Sequence, residues 1–463
     1  MTYDRALVGA PTPYIWNLDL SSRQHPSEPA IITMSDTTSW SKFTLKVRRI
    51  EAALATAQAS PNDLILVAGP PNDTSFAAII AARNYGIGIL PLTHNQLARS
   101  SELVMTSVTL ELRGDDVIRT LVAPCAAEPS SRYPPGSGYI AYLSSGTTGV
   151  PKIVRQKRRE RNMRGVAVMG KYGVGRDRGP HLMANPTFHL GTLGPALYAL
   201  ECGNAVVIPE QWDASSFAKL ANDYALSSAF VSSDQLIEIL KVEPDMPPSF
   251  LSLQHGGSYL ARRLKEVAID QFGDGLLEFY GTSVGVISEI SGHDWLKHPG
   301  SVGRPYPGVR VRTTAGCAKG GLIIEHRPVG NAPREIEYPG DIGYVDEGGY
   351  VYIEGRQATS ADALRIQNVL SEEIGIISAV QMSSNATLHF AMEVEPELLE
   401  NSINAVQSRL QEEQVPVKVD LYNGRVFPRT ESGKVSIVET NSSWSNRLVL
   451  EPIVRLKSPA AYS

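Results

Sequence analysis

Along this chain, helix-like segments run repeatedly into short apolar strands, and that alternation narrows the possible folds more than any other feature. "DLILVAG" (Asp63 to Gly69) is a short apolar run closed by glycine, the pattern of a buried strand. In "NDTSFAAIIAARNYG", Asn72 to Ser75 can cap a helix whose apolar face is Phe76, Ile79, Ile80 and Ala82, with Gly86 closing it before "IGILPL" resumes a strand. Strand, helix and strand in so short a span predict a parallel crossover. The unit recurs: "PTFHLGTLGPALYALECG" leads into "NAVVIPE", "SFAKLANDYAL" into "SSAFVSS", and "ARRLKEVAIDQFG" into "DGLLEFYG". No fixed period relates these units, so the expectation is a layered α/β sheet domain and not a solenoid.

The texture changes after Gly300. "GSVGRPYPGVRVRT", "GGLIIEH" and "GDIGYVDEGGYVYIEGR" alternate apolar and polar residues between glycines, which predicts antiparallel strands with a hairpin tip at "DEGG". "GRQATSADA" reads as a boundary. Beyond it the pattern predicts a helix from Leu370 to Ile377, a strand at "ATLHFAMEVE", a helix at "PELLENSINAVQSRLQEEQ" and a strand at "VPVKVDLY", together a small α+β domain. The final "SSWSNRLVLEPIVRLKSPAAYS" has no clear period.

Composition excludes several classes. At 463 residues with 42% apolar and 20% charged side chains, the chain can build large cores. A net charge of -5 argues against nucleic acid as the main partner. Cys125, Cys202 and Cys317 are odd in number and lack metal spacing, so no disulfide framework or structural zinc is expected. No apolar run is long enough for a membrane span, and "MTYDRALVGAPTPY" lacks a signal-peptide profile, so a cytoplasmic enzyme or binding protein is expected.

"YLSSGTTGVPKIV" (Tyr142 to Val154) cannot bury an apolar face. Glycines and small hydroxyl residues let backbone N–H groups converge on phosphate oxygens, and Lys152 supplies a point charge. Alone, such a run would equally be a solvated turn, and it is not a GxxxxGK[ST] loop. Read whole, however, it resembles the phosphate-binding signature of the adenylate-forming superfamily, which includes acyl- and aryl-CoA ligases, luciferases and peptide-synthetase adenylation domains. The agreement runs from Ser145 to Lys152, and only the following glycine departs, as Ile153. Further segments match in the family's order: "NPTFHLGTLGPALYALECGNAVV", "LQHGGSYL", "LLEFYGTSVG", "GSVGRPYPGVRV", "GDIGYVDEGGYVYIEGR" and "FPRTESGK".

The resemblance implies a fold of two parts. Residues 1–355 would form an adenylation core of layered α/β sheets with a small β-barrel, and residues 356–463 a small α+β lid. It implies attack of a carboxylate on the α-phosphorus of ATP, giving an acyl adenylate and pyrophosphate, with Mg2+ accompanying the nucleotide. Ser144, Ser145, Gly146, Thr147, Thr148 and Gly149 would wrap the β- and γ-phosphates, with Lys152 nearby. Lys434 on the lid would bridge the carboxylate and α-phosphate. Gly256, Gly257 and Ser258 would lie beside adenine, Tyr280 would stack on it, and Gly281 and Thr282 would follow at the nucleotide. Asp341 would accept both ribose hydroxyls, and Arg356 would donate to the ribose. Phe188, His189, Leu190, Gly191, Gly281 and Val284 would line the acyl pocket, with His189 flanking the carboxylate. Amino-acid-activating relatives have Phe-Asp where this chain has Phe188-His189, so a simple aryl or alkyl acid is implied.

Two departures bear on the second half-reaction and on the metal. The glutamate that normally helps hold Mg2+ is Val284 here, which leaves the ion to the nucleotide phosphates and water. After Gly355-Arg356 the usual Asp-Asp is Ala358-Thr359, and Leu364 or Arg365 falls near a glycine that lets a pantetheine arm through. The leading expectation is transfer to a pantetheine thiol, of CoA or of a carrier protein. The alternatives are transfer to an amine, and a degenerate nucleotide- or acyl-binding protein. The basic run "KIVRQKRRERNMR" (Lys152 to Arg164) is read chiefly as a solvated helix face and secondarily as a landing place for a CoA phosphate or an acidic carrier.

Overall fold

The computed structural model describes residues 21–113, 117–120, 138–143, 152–156, 179–242, 244–258, 260–282, 285–314, 319–327, 335–356, 376–382, 388–412, 419–424 and 454–456, together with residues 363, 366, 369, 370, 373 and 427. The crossover read from the sequence is present. Leu64–Ala68 and Gly88–Leu92 are parallel neighbours, joined by the helix Asp73–Tyr85. Its start is a reciprocal cap: Asn72 Oδ1 accepts from Ser75 N at 2.9 Å, and Ser75 Oγ accepts from Asn72 N at 2.9 Å. Gly86 ends it at φ 95°, a left-handed conformation that a side chain would strain.

Two large sheets result. A six-stranded one runs Val117–Thr120, Leu110–Arg113, Leu64–Ala68, Gly88–Leu92, Tyr139–Leu143 and Ile153–Gln156. A nine-stranded one runs Arg304–Pro305, Gly285–Ser291, Leu276–Thr282, Ser252–Gly256, Ser228–Ser232, His181–Leu182, Val206–Ile208, Pro29–Thr33 and Thr37–Ser39. Its interior strands are parallel and its edges antiparallel. The helices Trp40–Thr56, Asp73–Tyr85 and Leu190–Glu201 lie between the sheets. Their buried faces share one apolar cluster with Ile65 and Ile89 of the first sheet and Val206 and Ile208 of the second. This explains why Phe76 to Ala82 is buried all round and not along a single stripe.

Between Val309 and Arg356 the described residues form five antiparallel strands, Val309–Thr313, Gly320–His326, Glu335–Glu337, Asp341–Val345 and Val351–Arg356. Val311, Leu322, Ile324 and Val351 of these strands bury a common core with Ile287 of the large sheet. The tip at Asp346–Gly349 is closed by Gly349 N donating to Asp346 O at 3.0 Å and Tyr350 N donating to Asp346 Oδ1 at 2.8 Å.

The C-terminal part has its own core of Ala363, Ile366, Val369, Leu370, Phe390, Met392, Val394, Val406, Leu410, Val419 and Leu421. One expectation is corrected here. Residues 363, 366, 369 and 370 are helical, whereas Ile376 already begins the strand Ile376–Met382. The helix therefore lies ahead of the expected Leu370 to Ile377, because the buried positions at helical spacing start at Ala363 and Ile376 pairs with Val394. The unassigned tail contributes a strand, Val454–Leu456, antiparallel to Val419–Gly424.

Candidate active site

Parallel strands bring their carboxyl ends to one edge of a sheet, where ligands of α/β proteins bind. In the nine-stranded sheet Ser228–Ser232, Ser252–Gly256 and Leu276–Thr282 are such neighbours, so Ser232, Gly256 and the segment Tyr280-Gly281-Thr282 line that edge together. Gly256 must be glycine: a Cβ there would lie 2.6 Å from Phe279 O. Gly257 has φ 90°. Ser258 O accepts from Ser233 Oγ at 2.8 Å, and the buried Ser258 Oγ has no partner among the described residues.

Tyr280, Asp341 and Arg356 come together from three strands. The Tyr280 hydroxyl donates to Asp341 Oδ2. Asp341 and Arg356 are register partners, with Arg356 Nε 2.9 Å from Asp341 Oδ1 and Arg356 Nη1 donating to Pro339 O at 2.9 Å. Asp341 is only 4% exposed. Burial pushes its carboxyl above the usual range, and the Tyr280 hydrogen bond and Arg356 charge pull the other way. Burial first, and Asp341 second, push the Tyr280 phenol up, so the hydroxyl stays a donor.

His189 caps the helix Leu190–Glu201, its Nδ1 accepting from Gly191 N at 3.3 Å. With its lone pair on Nδ1, the neutral ring bears its proton on Nε2. The first turn of this helix adds a positive dipole end beside the ring, which favours a carboxylate. Gly191 has no room to spare: a Cβ would lie 3.0 and 3.1 Å from two Phe230 ring carbons. Phe230 stacks on Phe279 at a centroid distance of 5.2 Å and 26°, and Phe279 Cδ2 would lie 3.3 Å from a Cβ on Gly256. Thus Gly191, Phe230, Phe279 and Gly256 form one continuous wall from the candidate acyl site to the candidate adenine site. Phe188 is turned into the apolar core, 2% exposed, and Leu190 packs at that core's edge.

Phe230 and Phe279 were not singled out from sequence. The available signal was an aromatic at the centre of "SSAFVSS" and one immediately before Tyr280. Of the loop residues, Lys152 is exposed at the start of Ile153–Gln156. Leu143 pairs with Ile153, so the ends of the loop between them are held side by side. Ser144, Ser145, Gly146, Thr147, Thr148, Gly149, Val284 and Lys434 lie outside the described residues. Among the described residues no three His, Cys, Asp or Glu side chains converge as a metal site.

With this geometry in view, the comparisons agree. Residues 98–314 match the family model of the AMP-binding enzymes. The fatty acid--[acyl-carrier-protein] ligase ScoC of Streptomyces coeruleorubidus is 24% identical over 425 residues, 78% of this chain and 81% of that protein. A 2-succinylbenzoate--CoA ligase of Bacillus anthracis is 26% identical over 238 residues, 46% of this chain and about half (49%) of that protein. In fold, the chain is similar to O-succinylbenzoate coenzyme A synthetase of Bacillus subtilis in complex with AMP, with TM-score 0.73 and 18% identity, covering 92% of this chain and 98% of that one. It is also similar to amide bond synthetase McbA of Marinactinospora thermotolerans, with TM-score 0.71 and 18% identity, covering 93% and 100%. Residues 98–314, just under half of the chain, thus resemble the AMP-binding enzymes, and the fold is that of the solved structures named above. The curated relatives named above, to which the chain is similar, are ligases that join an acid to an acyl-carrier protein or to CoA.

Proposed function

We propose that this protein activates an aryl or alkyl carboxylic acid with MgATP and passes the acyl group to a pantetheine thiol, of CoA or of a carrier protein. The observation that supports it most is the convergence of Tyr280, Asp341 and Arg356 at the strand edge that also holds Gly256 and Gly257. Asp341 accepts the ribose hydroxyls, Tyr280 flanks the base, and Arg356 holds the carboxylate in place. His189 and the first turn of its helix receive the substrate carboxylate, with the Phe230–Phe279 wall beside it. Loop 144–149 and Lys152 hold the outgoing phosphates. The acid's oxygen then bonds to the α-phosphorus as the bond to pyrophosphate breaks. Lys434 bridges the two anions, and fixed positive groups there lower the barrier.

Magnesium enters with the nucleotide, held by its phosphates and water. The C-terminal part, with its separate core, acts as the lid. In the second step the thiol sulfur attacks the acyl carbonyl and AMP leaves. No helix among the described residues is long and apolar enough to cross a membrane, and the cytoplasm supplies both ATP and CoA.

An amine acceptor is the second reading. The resemblance favours it: Leu364 or Arg365 falls in sequence near the family's glycine, where a side chain would narrow the path for a pantetheine arm, and both residues lie outside the described ones. ATP–pyrophosphate exchange across a panel of acids tests the first half-reaction, and the absence of exchange with every acid would overturn it. Single turnover of the acyl adenylate with CoA, a phosphopantetheinyl carrier protein or amines tests the second. Consumption stimulated only by amines would replace the thiol.

A further inference from the structure

Behind the nucleotide strands, on the sheet face opposite the aromatic wall, a lysine is buried. Lys265 is on the helix Arg262–Phe272, which connects Ser252–Gly256 to Leu276–Thr282. It is 1% exposed. Its ammonium lies 2.6 Å from His255 Nε2 and 2.9 Å from Glu278 Oε2. His255 and Glu278 are register partners on the two strands, so their side chains share one face while Gly256 and Phe279 share the other. His255 is completely buried, and burial together with the Lys265 charge holds it neutral. It therefore accepts from the ammonium through Nε2. Burial pulls the Lys265 pKa down and Glu278 pulls it up.

A methionine or leucine would fill this space without the cost of desolvating an ion. A buried pair of this kind is poor evidence for stability, and its best-attested use is to set register. The register here matters locally. His255 immediately precedes Gly256-Gly257, and Glu278 stands two residues before Tyr280. A shift of one strand against the other would move the Gly256 backbone away from Phe279 O and Tyr280 away from Asp341. We propose that Lys265 is a positioning residue of the nucleotide site: it ties His255 to Glu278 and so fixes the two strand ends that receive adenine and ribose.

This inference rests on the ATP reading above, and the test separates the two. ATP binding to the parent protein is measured first by calorimetry, and a parent that binds no ATP refutes the nucleotide site itself. The informative variant is the double substitution Lys265→Met with Glu278→Leu, which removes both charges and leaves no ion unpaired. It should melt near the parent temperature, keep kcat for ATP–pyrophosphate exchange within about threefold, and raise KM for ATP about tenfold while leaving KM for the acid unchanged. A folded double variant with the parental KM for ATP would overturn the proposal, as would equal rises in both KM values. If the double variant does not fold, Glu278→Gln serves instead. It keeps an acceptor for the ammonium but removes the charge, and should raise KM for ATP about threefold. A parental KM for ATP there overturns the proposal equally.

Discussion

Asp341→Asn isolates what the buried carboxylate does, because the amide keeps its size. A carboxylate offers about four lone-pair positions. Tyr280 takes one on Oδ2 and Arg356 one on Oδ1, which leaves one on each oxygen for the two ribose hydroxyls. Asparagine keeps a single acceptor oxygen, so one ribose bond is lost and the other loses its charge. Bonds to charged groups are worth about 1.5–3 kcal/mol, so a net loss of about 2 kcal/mol, roughly thirtyfold in Kd for ATP, is expected. 2′,3′-Dideoxy-ATP offers no such hydroxyls and should bind parent and variant alike. Stability should move the other way. Burial raises the folded carboxyl above its unfolded value of 3.8, so between those two values the folded state holds more protons than the unfolded state. Stability therefore falls as pH rises through that window, and at neutral pH the cost of the buried charge is fully present. The Arg356 side chain is 68% exposed, so its offsetting attraction is screened. The variant should melt at or above the parent temperature at pH 7, with the difference shrinking below pH 4. Calorimetric titration with both nucleotides and melting curves at the two pH values decide the matter. Equal losses for both nucleotides would remove Asp341 from the ribose site, and a variant less stable at pH 7 would refute the burial argument.

Three further substitutions test other parts of the site. Lys434→Ala should reduce adenylate formation at least about a hundredfold while leaving ATP affinity near the parent value; parental acyl-adenylate formation in a single-turnover assay would rule the lysine out. Val284→Glu should restore a metal ligand and lower the Mg2+ concentration needed for half-maximal exchange, and an unmoved Mg2+ titration would show that the ion is held without this position. Gly256→Ala places a Cβ 2.6 Å from the Phe279 carbonyl, so the strands must part. Overpacking of this kind costs about 1–3 kcal/mol, and a drop in melting temperature with a higher KM for ATP is expected; parental values for both would mean that the two strand ends tolerate separation.

Much of the fold was legible because its signals are local. Asn72, Ser75 and Gly86 specify both ends of one helix through bonds within a few residues, and the pattern "DEGG" specifies a turn in the same way. What stayed hidden depends on partners distant in sequence. Val454–Leu456 becomes a strand because Val419–Leu421 offers it a free edge, and nothing inside the tail announces that. The helix ahead of Ile376 was displaced because an apolar run with both Leu370 and Ile376 fits helix or strand until the pairing with Val394 decides. At the site, Tyr280, Asp341 and Arg356 were legible through motif resemblance, and the structure brings them into contact. Phe230 and Lys265 were not. The first looks like any core aromatic, and the second like any lysine on an amphipathic helix. Only the register of the parallel strands shows that one faces Phe279 and the other lies between His255 and Glu278.

The distribution of charge around the wall has a mechanistic consequence. Between His189 and Gly256 the wall is aromatic and backbone, without an ionic side chain: Gly191, Phe230, Phe279 and Gly256 supply shape alone. Two ion pairs stand away from it. Lys265 and Glu278 neutralise each other behind it, and Asp341 pairs with Arg356 on the small antiparallel strands. Bringing a carboxylate to a triphosphate requires net positive charge at the point of attack, and the wall does not provide it. The groups proposed for that task are Lys152 and Lys434. Lys152 precedes an edge strand of the other large sheet, and Lys434 lies outside the described residues. On the proposed function, the sheet supplies shape and these two lysines supply charge. If Lys434 acts from the lid as proposed, its charge leaves when the lid turns, while the wall of Gly191, Phe230, Phe279 and Gly256 stays in place.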